Sequence, residues 1–234
     1  MGGILSWLYV PKCTVCKKRL DADRTVLLCD ECLLRWEREK GSNCPICGQK
    51  SDKCWCGIKL DTKGAIYAEL HLSFYSSSVE SVTKCIILSI KYKLDKRVAD
   101  MLSYELAEII ERNIGIENTV IVHVPRSVKS IRYYGFDQSL ILADEISQIL
   151  SIPHCTAIIH KGKTVQKKLS LAERQINARK SYFLDKDSSE ELKGKDVILF
   201  DDVVTTGATA ARCASLIKRA GAKRVFMLSI AKVY

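Results

Sequence analysis

Hydrophobic positions along the chain follow two periodicities, and their alternation sets the expected fold. Val197-Ile198-Leu199-Phe200, closing on Asp201, is an unbroken apolar run, the pattern of a parallel strand covered on both faces. Thr119-Val120-Ile121-Val122-His123-Val124-Pro125 has the same character, Cys155 to Ile159 reads as a short strand, and Ala65 to Tyr75 alternates loosely as another. Between these runs apolar residues recur at helical spacing. Val79, Val82, Cys85, Ile86 and Ile90 form a stripe over Ser78 to Tyr92 behind a serine cap. Val98, Met101, Leu102, Leu106, Ile109 and Ile110 form a second over Lys96 to Asn113. Helices are also expected over residues 138–150 and 210–220, the latter stopping at Gly221. Strands alternating with helices predict an α/β fold, a doubly wound parallel sheet with ligands at the carboxyl ends of its strands.

Residues 1–60 do not share that alternation. They hold Cys13-x2-Cys16 and Cys29-x2-Cys32, twelve residues apart, then Cys44-x2-Cys47 followed after six residues by Cys54-x-Cys56. Tetrahedral zinc takes four soft ligands, and each close cysteine pair supplies two from one turn. Two structural Zn²⁺ ions are therefore expected. Sequential pairing (Cys13 and Cys16 with Cys29 and Cys32; Cys44 and Cys47 with Cys54 and Cys56) is preferred to an interleaved cross-brace. So small a segment has little core of its own, and the metal is expected to supply folding energy. The expected division is a zinc-binding domain over 1–60 and a second domain over 61–234. Cys85, Cys155 and Cys213 stand alone and read as core residues.

Composition narrows the setting. At 234 residues and 47% hydrophobic content the chain can bury a real core. No apolar run approaches the length of a membrane span, so no membrane insertion is expected. The first residues lack a basic stretch and a small-residue cleavage site, against a signal peptide. Eleven cysteines in a charged chain point to metal-bound thiolates in a reducing compartment. Eight thiolates on two zinc ions would bring the formal charge from +10 to about +6, still basic and still favouring polyanionic partners.

The chemistry concentrates after Phe200. Asp201 and Asp202 precede Val203, then Thr205-Thr206-Gly207-Ala208-Thr209 opens onto the helix at 210. A strand, a small-residue turn and a helix N-terminus form an anion site, because unpaired backbone N–H groups and the positive dipole end face the turn. Two carboxylates beside a phosphate cradle suit a phosphate carried on a polyol, whose hydroxyls or bridging Mg²⁺ they would hold. A sugar 5-phosphate with vicinal hydroxyls fits. Two basic stretches are expected at the same sheet edge. One is a loop from Arg126 to Asp137, with Arg126, Lys129 and Arg132. The other spans residues 160–180, with Lys161, Lys163, Lys167, Lys168, Arg174, Arg179 and Lys180.

VILFDDVVTTGAT, residues 197–209, resembles the phosphoribosyl pyrophosphate (PRPP) motif of type I phosphoribosyltransferases. Tyr133-x-Gly135-Phe136-Asp137-Gln138 after Pro125, then Thr164-x-Gln166-x2-Leu169-x3-Glu173-Arg174-x2-Asn177, behind an N-terminus of cysteine pairs, resembles the ComF family. Asp137 stands where that family usually has Asn, and Lys93-Leu94-Asp95 lacks the glycine usual after the Lys91-Tyr92 pair. The resemblance implies a type I phosphoribosyltransferase fold behind a small double zinc-ribbon domain. It also implies a cytoplasmic protein of natural competence, handling transforming single-stranded DNA with an ATP-driven DNA translocase as partner. Asp201 and Asp202 would then hold ribose hydroxyls and Mg²⁺, Thr205 to Thr209 the 5-phosphate, with Val203 also among the PRPP-binding residues, and Arg126 with help from Arg174 or Lys167 the pyrophosphate. Two readings stay open: transfer of phosphoribosyl to an acceptor the sequence does not name, and PRPP or 5-phosphate binding without turnover. In the second, zinc knuckles near Trp7, Trp36 and Trp55 and the basic loops would contact single strands, unless those tryptophans pack around the zinc core. His123 and His160 are candidates for a base by position alone.

Overall fold

The computed structural model of the chain describes residues 10–44, 46–51, 54, 64–76, 78, 81–162 and 170–233. In order these form α1 (Asp30–Lys40), β1 (Ala68–Phe74), α2 (Val82–Lys93), α3 (Lys96–Asn113), β2 (Thr119–His123), α4 (Val128–Tyr134) and α5 (Gln138–Leu150). Then come β3 (Ile158–His160), α6 (Leu171–Ser181), β4 (Tyr182–Leu184), α7 (Lys186–Ser189), β5 (Asp196–Val204), α8 (Ala208–Arg219) and β6 (Arg224–Lys232). Strands β1, β6, β5 and β2 pair in that order, all parallel.

The unbroken apolar runs are explained by two cores, one on each face of this sheet. Ile121, Ile198, Phe200, Leu228 and Ile230 point to one, with α2, α3 and α5 above them. Their neighbours Val120, Val122, Val197, Leu199, Val225 and Met227 point to the other, under α8. A strand buried on both sides has no polar alternate position, and β5 and β2 show none between their first residues and their carboxyl ends.

Several elements differ from the expected ones. The short strand lies at 158–160 and leaves the main sheet: it pairs antiparallel with β4 in a separate ribbon. Among the described residues a single parallel bridge, Ile121 to His154, ties the residues just before that strand to β2. Apolar periodicity reports burial and not the pairing partner, so the two sheets looked alike in sequence. The stretch 126–137 is not an open loop. It folds into α4, with the Ser127 hydroxyl accepting from Ser130 N–H at one end and Gly135 at φ +84° closing the other. Helix α2 is capped by Ser81, whose side chain accepts from Lys84 N–H, rather than by Ser78. Strand β5 continues through Asp201 and Asp202 to Val204, because β6 remains alongside to pair with it.

Residues ahead of β1 pack against the sheet's helical face. Leu28, Cys32 and Trp36 are buried in the same core as Ile86, Ile90 and Leu102. Trp36 Nε1–H donates to both Glu105 carboxylate oxygens at 3.1 Å, and Lys40 reaches the same carboxylate at 2.6 Å. Glu39, near the end of α1, caps a different helix. Its carboxylate accepts from Val82 N–H and Thr83 N–H, both at 2.8 Å, and from the Thr83 hydroxyl at 2.7 Å.

Candidate ligand-binding cleft and metal clusters

The carboxyl ends of β2 and β5 face one cleft. Asp202 on β5 is buried and accepts from Gln138 Nε2 at 2.9 Å, while Lys91 Nζ from α2 lies 3.4 Å from the same oxygen. Asp201 Oδ1 accepts from Asp202 N–H, and Asp202 Oδ1 from Val203 N–H. Burial pushes the Asp201 carboxyl well above the usual range. The Asp202 charge adds to this and Lys91 opposes it. Lys91 is held up chiefly by Asp202, against its own burial. The pair is short of positive charge.

After Val204 the chain turns through Thr205 and Thr206 to Gly207, which caps α8 at φ +74°. An L side chain rarely adopts that backbone geometry, and here it aims the first N–H groups of α8 at the turn. Arg174 from α6 reaches Thr205 Oγ1 at 3.5 Å. Together Arg174, Asn177, Asp201 and Thr205 to Thr209 line a hollow of about 280 Å³. A larger cavity of about 1030 Å³ adjoins it, lined by Lys91, Val124 to Ser127, Gln138 and the tyrosines of α4. The two share Asp201, Thr209, His160 and Tyr182, so they form one continuous cleft.

Arg126 lines the larger part. Its guanidinium donates to Lys91 O at 2.8 Å and Phe136 O at 3.4 Å and lies 4.6 Å from the Tyr134 ring centroid. Asp137 accepts from Arg126 N–H and caps α5 through Ser139 and Leu140 N–H. That charged acceptor does the capping work an asparagine would do there. Lys167 lies outside the described residues, as do Thr164, Gln166 and Leu169 of the same stretch.

The two histidines part company. His160 lines the cleft, stacked edge-on to Tyr182, and burial lowers its pKa. Its Nδ1 accepts from Gly162 N–H at 3.3 Å, which leaves the ring proton on Nε2. His123 is buried beside His154, Nδ1 to Nε2 at 2.9 Å, and His154 bonds Asp144 in turn. Among the described residues it belongs to that chain of contacts and not to the cleft wall. Lys91 and Gln138 were not singled out as site residues from the sequence; the Lys91-Tyr92 and Asp137-Gln138 pairs were the available signals.

Oxygen donors fit a hard divalent cation at this end of β5. Asp201 and Asp202 face the cleft, and the buried Gln138 Oε1 has no partner among the described residues.

The cysteines form two clusters. The sulfurs of Cys13, Cys16, Cys29 and Cys32 lie within 4.8 Å of one another, as do those of Cys44, Cys47 and Cys54; Cys56 lies outside the described residues. Cys16 and Cys29 sulfurs are 3.6 Å apart and Cys47 and Cys54 3.7 Å. A zinc tetrahedron with bonds of about 2.3 Å has edges of about 3.8 Å, so both clusters could hold zinc. Among the described residues this grouping is the sequential one, with no sulfur of one cluster shared by the other. Burial pushes the Cys13 thiol up, but N–H donors from Cys29, Cys16 and Val15 outweigh it and bring it to about 7. Both knuckles have one design: Lys17 N–H returns to Cys13 O and Gly48 N–H to Cys44 O, with positive φ at Lys17 and Gly48. Gly48 is the turn residue of the second knuckle and is visible as such in the sequence. Trp36 is fully buried and unavailable for base stacking, while Trp7 and Trp55 lie outside the described residues.

The phosphoribosyl transferase domain model matches residues 96–232, more than half of the chain. Competence protein F of Haemophilus influenzae is 29% identical over 100 residues, covering 42% of this chain and 43% of that protein, so the chain spans less than half of that relative. DNA utilization protein YhgH of Salmonella typhimurium is 26% identical over 203 residues, covering 85% of this chain and 87% of that protein. A solved structure described as the allosteric regulatory enzyme of purine biosynthesis aligns at a TM-score of 0.40 and 19% identity, over 61% of this chain and 30% of that one. The domain match shows that the chain belongs to the phosphoribosyl transferase domain family, and its relatives bear the names of a competence protein and a DNA utilization protein, in keeping with the ComF resemblance.

Proposed function

We propose that the cleft binds PRPP together with Mg²⁺. The observation that carries this is the meeting of an adjacent carboxylate pair, a helix N-terminus capped by a positive-φ glycine, and the cations Lys91, Arg126 and Arg174 in one cleft. Thr205 to Thr209 hold the 5-phosphate through backbone N–H and hydroxyl donors, with Arg174 beside them. Asp201 and Asp202 accept from the ribose hydroxyls. Arg126 and Lys91 face the pyrophosphate, since a guanidinium has five donors and Arg126 commits only some to carbonyls. When bound, Mg²⁺ would neutralise the pyrophosphate beside the carboxylates. Lys167 is assigned to the pyrophosphate from the sequence alone.

Whether the ligand turns over divides two readings, phosphoribosyl transfer and binding alone. The His160 tautomer favours binding alone, because an Nε2–H donates and cannot take a proton from an acceptor. The cysteine clusters hold two structural zinc ions, with Cys56 completing the second. Residues 1–60 and 61–234 are proposed as a zinc-binding and a PRPP-binding unit. The relatives' names favour a role in competence and DNA use; a cytoplasmic setting, single-stranded DNA as ligand and an ATP-driven DNA translocase as partner follow from the ComF resemblance alone.

Calorimetry with Mg²⁺ and PRPP tests the site. Asp202→Asn is expected to weaken binding roughly ten- to a hundredfold, the worth of one charge-assisted hydrogen bond. Ribose 5-phosphate is expected to compete less well, because it lacks the pyrophosphate that Arg126 would meet. Equal PRPP affinity in wild type and Asp202→Asn would remove the proposal. Pyrophosphate release from bound PRPP would decide for transfer.

A further inference from the structure

Beyond the PRPP cradle, the outer wall of the larger cavity carries chemistry that a sugar phosphate does not use. Tyr133 is 80% exposed and touches Tyr134 edge-on, with ring centroids 4.7 Å apart at 83°. Tyr134 lies 5.2 Å from the ring of Tyr92, itself 46% exposed. Lys129 and Arg132 are exposed on the same short helix and line the same cavity. Lys129, Arg132 and Tyr133 are spaced three and four apart, so they share one face of α4.

The wall is rigid and positive. The Ser127 cap and the Gly135 stop fix α4 at both ends, so its side chains are presented by a helix. Helix α4 carries no acid. The nearby acids are engaged: Asp137 with three backbone N–H groups, Asp202 with Lys91 and Gln138. Large aromatic faces left in water beside cations suit a ligand that offers flat rings and phosphates in alternation. An acidic peptide would use the cations and leave the rings idle. A duplex would hide its base faces.

We infer that Tyr133, with Tyr92, Lys129 and Arg132, forms a stacking site for unpaired bases of a single-stranded nucleic acid, with phosphates on the two cations. For its ligand class the inference rests on the DNA-handling part of the proposed function. It gives that role a surface distinct from the zinc knuckles and from the cradle.

The test uses the full, zinc-loaded chain and fluorescein-labelled oligomers of thymidine, of uridine and of duplex DNA, with anisotropy read over a salt series. Tyr133→Ala should weaken thymidine-oligomer binding about tenfold, and Tyr133→Trp should retain it. Lys129→Glu with Arg132→Glu should weaken binding and flatten its salt dependence. PRPP affinity, measured on the same proteins, should fall far less than oligomer affinity in Tyr133→Ala. Equal affinity for the uridine oligomer would widen the ligand to single-stranded RNA and still support the site. Oligomer binding unchanged by Tyr133→Ala and by the double reversal would overturn it while leaving DNA handling intact. Duplex bound as tightly as single strand would overturn it too. A wild-type chain that binds PRPP but no oligomer would remove both this site and the DNA-handling role.

Discussion

Asp201 and Asp202 stand side by side on β5 with Lys91 as their nearby cation, and burial raises the Asp201 carboxyl well above the usual range. A carboxyl whose folded pKa is raised binds its proton more tightly folded than unfolded, so at neutral pH its ionisation works against the fold. Asp201→Asn should therefore raise the melting temperature of the ligand-free protein, by about 2–4 °C for each kcal/mol relieved, while weakening PRPP binding. Parallel losses of both would show that Asp201 is a structural residue. Two histidines give a second signature. Burial lowers His71 to about 3, helped by Lys232, and His123 to about 4 against the opposing charge of Asp137. Both values lie below the unfolded one, so the unfolded chain takes up protons first as pH falls. The stability present above pH 6.5 is then lost toward pH 4, by about 2 kcal/mol per group at pH 5. Urea unfolding at pH 8 and pH 5 should show this, and His71→Gln should remove about half of the difference. At this scale the cradle residues were legible because strand, turn and helix follow one another in the chain. Lys91 and Gln138 were not, because they reach Asp202 from helices 111 and 64 residues away in sequence.

Elements were legible where local signals agreed. Helix α3 begins and ends where its apolar stripe does, and α5 starts at its Asp137 cap. The failures have a common cause. The ribbon strand β3, the three extra residues of β5 and the shift of the α2 cap all depend on what lies alongside, which periodicity does not contain. Helix α4 was legible in principle from Ser127 and Gly135, but its charge drew the reading toward a loop. The turn after β5 gives a sharp test. Gly207→Val puts a β-branched residue at φ +74°, and PRPP affinity should fall further than in either aspartate variant. Unchanged affinity would mean that the N–H groups of α8 do not hold the 5-phosphate. Glu39 offers another. Glu39→Ala removes the acceptor for Val82 N–H, Thr83 N–H and the Thr83 hydroxyl, and should cost about 1–3 kcal/mol in urea unfolding.

Over the whole molecule the sheet is covered by helices on both faces, and the cysteine-bearing stretch closes part of one face. No helix among the described residues is long and apolar enough to cross a membrane. Elemental analysis should find two zinc ions per chain; one or none would contradict the reading of the second cluster. Because Leu28 and Trp36 share a core with α2 and α3, chelation should also loosen those helices, seen as faster amide exchange over 82–113. Exchange confined to residues before 60 would show that the metal sites fold on their own. The bond from Glu39 to Thr83 has a consequence for inheritance. A carboxylate encoded early in the gene completes a helix encoded well after it, so a change at position 39 is felt at position 83 and is best repaired there. Recombination that exchanged the cysteine-bearing stretch for a relative's would have to bring a matching α2 along, and chimaeras joined between them should fold less well than either parent.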